Sequence, residues 1–226
     1  MIIDPEGLDR RTVSALLGGL VYPRPIALVS TVDSEGLRNL APFSFFNAFS
    51  FFPPTIGISP GSRDGVNKDS LRNIRETGEF VVNVVNERLA RLANLCSAEF
   101  DGSVDEWEVS GLDSEPSEAV TPRRLSASPA ALECRAMEFV DLGTAERPTN
   151  TLIVARVERI HVADAALNGL EPDDTALGLV GRMGGDLWCR TGDTFELPRP
   201  SHVDEEELAR EAAALRSQLA RDMNNG

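Results

Sequence analysis

The amino-acid sequence predicts a mainly β protein with peripheral helices, its strands joined antiparallel into a closed or nearly closed β-barrel. Three observations lead there. Many of the apolar segments are short, β-rich and bounded by turn residues, as in IALVSTV before Asp33-Ser-Glu-Gly, TIGIS and EFVVNVV. Few helical patterns lie between them, so the long crossovers of a parallel βαβ sheet are not expected. No GxGxxG follows a strand, and Gly181-Arg-Met-Gly-Gly-Asp has the wrong spacing for a dinucleotide loop.

In chain order, Val13, Leu16, Leu17 and Leu20 recur at helical spacing and predict a short helix over 9–20. Pro23 and Pro25 cannot donate ladder hydrogen bonds, so the first strand is expected near Ile26, with a return strand from Leu37 to Ala41. Pro53 and Pro54 open the next apolar run, and Gly61 to Asn67 reads as a loop. Asp69 is placed to cap a helix through SLRNIRET that ends at Gly78. ERLARLANLC reads as a second helix with Leu89, Leu92, Ala93 and Cys96 on one side.

From Ala98 to Pro129 the chain is acidic, proline-bearing and poorly periodic, which predicts a long surface excursion. ALECRAMEFVDLG and TLIVARVERIHV predict two long strands. A terminal helix over 204–223 carries Leu208, Ala212, Leu215 and Leu219 on one stripe, which must pack on its own barrel or on a partner subunit. We expect one domain over 1–226, with a core at about 20–200 and the terminal helix at 203–223.

Composition narrows the function. With 226 residues and 42% apolar content the chain can bury a large core, and a net charge of −14 argues against a nucleic-acid partner, whose phosphates call for a basic face. The start, MIIDPEGLDRR, has no apolar leader and no run approaches the length of a membrane span, so a cytoplasmic protein without membrane contact is expected. Cys96, Cys134 and Cys189 are odd in number and widely spaced, and the only histidines are His161 and His202. Neither a disulfide framework nor a metal site is expected.

The residues that carry chemistry cluster between Tyr22 and Asn86. Six of the ten phenylalanines fall between Phe43 and Phe52, interleaved with Ser44, Asn47 and Ser50, and Lys68, the only lysine among 22 basic residues, follows them. Aromatic surface, small polar groups and one cation suit a ligand with a flat aromatic part and an anionic end, and flavin mononucleotide (FMN) has that shape. The phenylalanines also have a plainer reading: Phe43, Phe45, Phe49 and Phe51 share a parity, and most are expected to be core packing residues. His161 is expected to be a hydrogen-bonded structural residue, Cys96 a small core residue, and a redox role for Cys134 has no support.

YPRPIALVST, NLAPFSFFN, the Pro-Pro pair before a strand, KDSLRNI and EFVVN together resemble the flavin reductase-like proteins of the FMN-binding split-barrel fold, a Greek-key barrel that would here carry a C-terminal helix. The resemblance runs from about Leu20 to Pro200, with weaker echoes in SPAALEC, NTLIVARVERIHV and GRMGGDLW, where Trp188 stands in place of an expected tyrosine. It implies that Lys68, Asp69 and Ser70 hold the FMN phosphate, which accords with a cation and a hydroxyl beside the free N–H groups of a helix start. An ordinary helix cap and a solvated lysine would read the same way.

Arg24 is a second phosphate or ribityl candidate, or else a surface arginine in a turn. Ser30, Thr31 and Asn39 could meet the ribityl hydroxyls, although strand and turn preferences also explain them. Ala41, Pro42, Ser44 and Asn47 match the segment that faces the isoalloxazine edge, where backbone N–H groups would stabilise charge on the reduced ring. The implied function is an FMN-binding oxidoreductase, an NAD(P)H-dependent flavin reductase that passes hydride to flavin N5. No catalytic residue is named, since hydride transfer needs stacking and exclusion of water. The alternatives are a non-enzymatic, flavoredoxin-like electron carrier and a cofactor-free barrel. Expected partners are flavin and nicotinamide nucleotides (FMN with NADH or NADPH), a second copy in a homodimer, and a monooxygenase component or other electron acceptor.

Overall fold

The computed structural model describes residues 1–63, 66–98, 104–143, 149–199 and 205–224. It divides into two units, Met1–Asp193 and Thr194–Gly226. The first unit is built on a seven-stranded antiparallel sheet, which together with its helices makes the split barrel.

Helix α1 (Arg10–Leu20) starts where the Asp9 carboxylate accepts from the Thr12 N–H at 3.0 Å and from its hydroxyl at 2.7 Å. Its predicted stripe is only half used: Val13 and Leu16 are half-buried, whereas Leu17 and Leu20 are exposed. The first pairing comes earlier than expected, because β1 (Arg24–Pro25) pairs with β15 (Val180–Arg182), which in turn pairs with β16 (Trp188–Arg190). β2 (Ala27–Val32) and β3 (Arg38–Phe43) form the first hairpin, two residues longer at its far end than the sequence suggests. β4 (Phe46–Phe51) and β5 (Pro54–Ile58) form the second.

A two-residue pair, β6 (Ser62–Arg63) and β7 (Val66–Asn67), leads into α2 (Asp69–Thr77), which ends on Gly78 in the left-handed region at φ 72°. β8 (Glu79–Val84), α3 (Ala90–Leu95) and α4 (Glu106–Ser110) follow. The short pair β9 (Ser114–Glu115) and β10 (Arg124–Leu125) precedes the long strands β11 (Ala130–Asp141) and β12 (Thr151–Val162). A 3-10 turn at Asp164–Ala166, the pair β13 (Leu167–Asn168) and β14 (Glu171–Pro172), and α5 (Asp174–Leu177) lead to β15. In the second unit, α6 (Glu205–Asn224) carries the predicted apolar stripe. No described helix is long and apolar enough to cross a membrane.

The sheet order is β3-β2-β8-β11-β12-β5-β4. Its outermost strands, β3 and β4, are consecutive in the chain and joined only by Ser44 and Phe45, so the sheet must curl until its edges come together. The interior holds Val29, Ile56, Phe80, Val82 and Ile153, and α2 adds Leu71 and Ile74 to it. Each such side chain contributes ~1.5–3 kcal/mol by leaving water. A second apolar layer, with Leu28, Leu40, Leu89, Ala93, Trp107 and Val180, packs on the outside, which is why β2 is buried on both faces.

Two expectations are corrected. Most of the phenylalanines are not core: Phe43 is buried and Phe46 partly so, but Phe45, Phe49, Phe51 and Phe52 are 58%, 65%, 81% and 96% exposed. The shared parity fails because the turn at Ser44–Phe45 and an irregularity between Ala48 and Ser50 break the run into separate pieces. Asp69 does not cap α2, since the N-cap is Lys68 and makes no side-chain cap bond, while Asp69 pairs with Arg72 at 2.7 Å. The surface excursion after Ala98 is anchored on the barrel in its described part. Trp107 is 3% exposed, and the segment around Arg123–Leu125 is fixed by Ser30 Oγ donating to the Arg123 carbonyl (2.6 Å) and by Asn83 Oδ1 accepting from the Leu125 N–H (2.7 Å).

Candidate functional site

A cleft of about 1080 Å³ opens at the turn between the edge strands. β3 and the turn supply Asn39, Ala41, Pro42, Phe43, Ser44 and Phe45, the start of α2 supplies Lys68, Asp69 and Ser70, and α4 supplies Glu106. Its size is slightly above the ~300–1,000 Å³ common for small-molecule sites.

Seven of the residues singled out from the sequence come together here: Asn39, Ala41, Pro42, Ser44, Lys68, Asp69 and Ser70. Lys68 Nζ stands 5.6 Å from the centre of the Phe43 ring, so cation and aromatic wall are neighbours across two elements. Ser70 and Asn39 are buried and bonded at 2.8 Å. The Asn39 amide is best satisfied with Oδ1 accepting from Ser70 Oγ and Nδ2 donating to Glu106 Oε1 at 3.3 Å. The other Glu106 oxygen accepts from the Leu40 N–H at 3.1 Å. Ser59 also lines the cleft, and its buried hydroxyl has no partner among the described residues, which leaves a polar group for a ligand to satisfy.

The other four lie elsewhere. Arg24 is half-buried, and its guanidinium donates to the carbonyls of Gly18 (2.9 Å), Val21 (2.7 Å) and Met183 (3.0 Å), with Nε 3.4 Å from Ser44 Oγ. It ties the end of α1 to the turn after β15. Ser30 is spent on the Arg123 carbonyl, and the Thr31 hydroxyl accepts from Asn73 Nδ2 at 3.1 Å. Both are 1% exposed. Asn47 is exposed on the edge strand, its side chain accepting from the Ala48 N–H.

Sequence reading missed Glu106, Arg10 and Cys96 in the cleft lining. Glu106 sits in the segment that the sequence predicts as a surface excursion. The EWEV pattern after Asp105, an acidic N-cap followed by a large apolar residue, was the signal available for a short helix there. Burial raises the Glu106 carboxyl above its ordinary value, and the charges of Asp69 and Asp105 push the same way, against the opposing Leu40 N–H. Burial likewise pushes the Cys96 thiol up to about 11, with the Glu106 charge adding to it.

Away from the cleft, Cys134 is wholly buried and its thiol is pushed far up by burial, which makes it a packing residue. His161 is bonded to Glu133, in keeping with the structural role expected of it. His202 lies outside the described residues. Trp188 is half-buried with the Arg182 guanidinium 5.6 Å from its ring.

A family model described as the flavin reductase like domain matches residues 18–177. An uncharacterized protein of Halalkalibacterium halodurans is 39% identical over 203 residues, covering 89% of this chain and 97% of that one. Among solved structures, nitrilotriacetate monooxygenase component B from Bacillus cereus is 31% identical with a TM-score of 0.84, over 87% of this chain and 98% of that one. A 2-nitrobenzoate 2-nitroreductase from Pseudomonas fluorescens is 32% identical with a TM-score of 0.81, over 91% of this chain and 99% of that one.

Proposed function

The chain belongs to the flavin reductase-like family, and on that premise we propose that it is an FMN-binding oxidoreductase that accepts hydride from NADH or NADPH. The single observation that carries this reading is the cleft that sets Lys68 and the start of α2 beside an aromatic wall, with the unpartnered Ser59 hydroxyl in its lining.

The residues present fit such a ligand. Lys68 and the free N–H groups at the start of α2 attract a phosphate, while Arg10 lines the same cleft and adds positive charge. Phe43 and Phe45 offer apolar surface to a flat ring, and the backbone from Ala41 to Phe45 offers polar edges. When bound, the flavin supplies the redox chemistry, and the chain's task is to hold it, orient it and keep water from its face. Asp69 is tied to Arg72, and the Lys68 ammonium stands over the aromatic wall at Phe43.

A homodimer belongs to the same reading. Leu20, Tyr22, Phe49, Phe51 and Phe52 are 75%, 51%, 65%, 81% and 96% exposed, and such apolar surface is costly in water unless a partner covers it. The likeness to a monooxygenase component suggests an oxygenase partner as one acceptor for the electrons.

The test is spectroscopic. Purified protein is mixed with excess FMN, freed of unbound flavin, and followed anaerobically as NADH and then NADPH are added. Retained flavin that bleaches with either supports the proposal and names the donor. Retained flavin that bleaches only with dithionite favours an electron carrier, and no retained flavin removes the site assignment.

A further inference from the structure

We propose that Glu106 is a positioning residue for anion binding in this cleft: acting through Asn39, it decides whether the Ser70 hydroxyl hydrogen is turned inward or offered to the ligand, so that the anion is taken up together with a proton. The inference rests on the flavin reading for the identity of the anion.

The geometry allows two hydrogen-bond patterns over the same atoms. With Glu106 ionised, its Oε1 accepts from Asn39 Nδ2 at 3.3 Å, and Asn39 Oδ1 accepts the Ser70 hydroxyl hydrogen at 2.8 Å. Ser70 then shows the cleft only lone pairs, which repel an anionic oxygen. With Glu106 protonated, its hydroxyl donates to Asn39 Oδ1 and the turned amide donates from Nδ2 to Ser70 Oγ at 2.8 Å. The hydroxyl hydrogen of Ser70 is now released toward the cleft. Glu106 Oε2 keeps the Leu40 N–H in both patterns, Asn39 Oδ1 shares it at 3.2 Å in the first and gives up that share in the second, and the change is one turned amide and one added proton.

No mixed pattern is satisfactory. An ionised Glu106 facing Asn39 Oδ1 sets two acceptors together at 3.3 Å, and all three residues are at least nine-tenths buried, so the conflict is costly.

The charged surroundings favour the coupling. Facing Glu106 are Asp69 from α2, Asp105 from its own helix start and the Cys96 thiol at the end of α3. Asp105 is engaged by Arg38 of β3, and Asp69 by Arg72. Lys68 and Arg10 line the same cleft. An arriving phosphate adds negative charge close to a buried carboxyl that already resists ionisation, and so promotes its protonation.

Glutamine at position 106 reproduces the protonated pattern permanently, since its oxygen can accept from Leu40 and its NH₂ can donate to Asn39 Oδ1. Calorimetric titration of the full chain with FMN, in two buffers of different ionisation heat, counts the protons taken up. The natural chain is expected to take up protons, with its Kd rising by up to ~tenfold per pH unit toward alkaline pH. Glu106→Gln is expected to lose that Glu106-dependent uptake and to bind FMN more tightly than the natural chain at alkaline pH. Riboflavin, which lacks the phosphate, is expected to bind without uptake.

Equal uptake by both chains, or weaker FMN binding by Glu106→Gln at every pH, overturns the inference while leaving the flavin reading intact. No FMN binding by the natural chain overturns both. Should Glu106→Gln not fold, uptake by the natural chain with FMN and not with riboflavin decides the same question, and equal uptake with the two ligands overturns it.

Discussion

Glu133 on β11 lies diagonally across the strand pair from His161 on β12, its wholly buried carboxylate bonded to the imidazole Nε2 and to the N–H groups of Glu118 and Ala119. One side chain thus joins two strands to the segment that folds back over them. Arg135 and Glu79 reinforce it: Arg135 donates to the Ala119 carbonyl (2.7 Å) and Glu79 accepts from the Thr121 N–H (2.7 Å).

Replacing Glu133 by alanine strands two N–H groups and a histidine, and a loss of about 3 kcal/mol in urea unfolding at neutral pH is expected. A loss below ~1 kcal/mol would show that the segment is held elsewhere. The pH dependence has a definite sign. Burial tends to raise the Glu133 carboxyl, but the Glu118 and Ala119 N–H groups and His161 together hold it below its ordinary value. Its contribution to stability is therefore present above the unfolded-state value, ~4.3, and disappears as pH falls through the lower folded-state value. The stability gap between the natural chain and Glu133→Gln is expected to close over that acid range.

Arg24→Ala leaves the Gly18, Val21 and Met183 carbonyls without their donor. We expect about 2 kcal/mol of destabilisation. Arg24→Lys should recover only part of it, because an ammonium cannot span three carbonyls with the guanidinium's fork. Full recovery by lysine would show that charge alone matters at this position.

Phe49→Ser combined with Phe51→Ser tests the exposed aromatic surface. In an isolated subunit such exposed positions change stability by ~0.5 kcal/mol or less. If a second copy covers them, light scattering at micromolar concentration should show the mass halved relative to the natural chain. A natural chain that already has the mass of one subunit counts against the dimer.

Lys68→Ala is expected to weaken FMN binding by ~tenfold or more and riboflavin binding much less, since the exposed Lys68 ammonium lines the cleft and only FMN carries a phosphate for it to meet. Equal losses for both ligands would move the lysine from the phosphate to the ring.

Much of the barrel was legible because periodicity and turn chemistry are local. The pair β11 and β12, the Gly78 cap and the terminal helix all follow from spacing within one segment. What escaped was decided by distant partners. Nothing near Ser30 reveals that its hydroxyl holds Arg123, and nothing near Glu106 reveals that it lies under Asn39 and Leu40. Motif reading gathered Lys68, Asp69, Ser70 and the 41–44 segment into one cleft, but it also enrolled Ser30 and Thr31, whose hydroxyls the fold uses internally. The phenylalanines misled for a related reason: a parity rule holds within a strand, and a two-residue turn resets it.

A sheet that starts and ends on sequence neighbours has a margin. The strands between β3 and β4 are hydrogen-bonded on both sides, whereas among the described residues these two each pair on one side only. Transient opening begins where pairing is incomplete, so the backbone amides of the segment between them should exchange with solvent deuterium sooner than those of β8 or β11. That segment also lines the cleft. Whatever settles there closes the margin, and slowed deuterium uptake between Ala41 and Phe45 would report occupancy even for a colourless ligand.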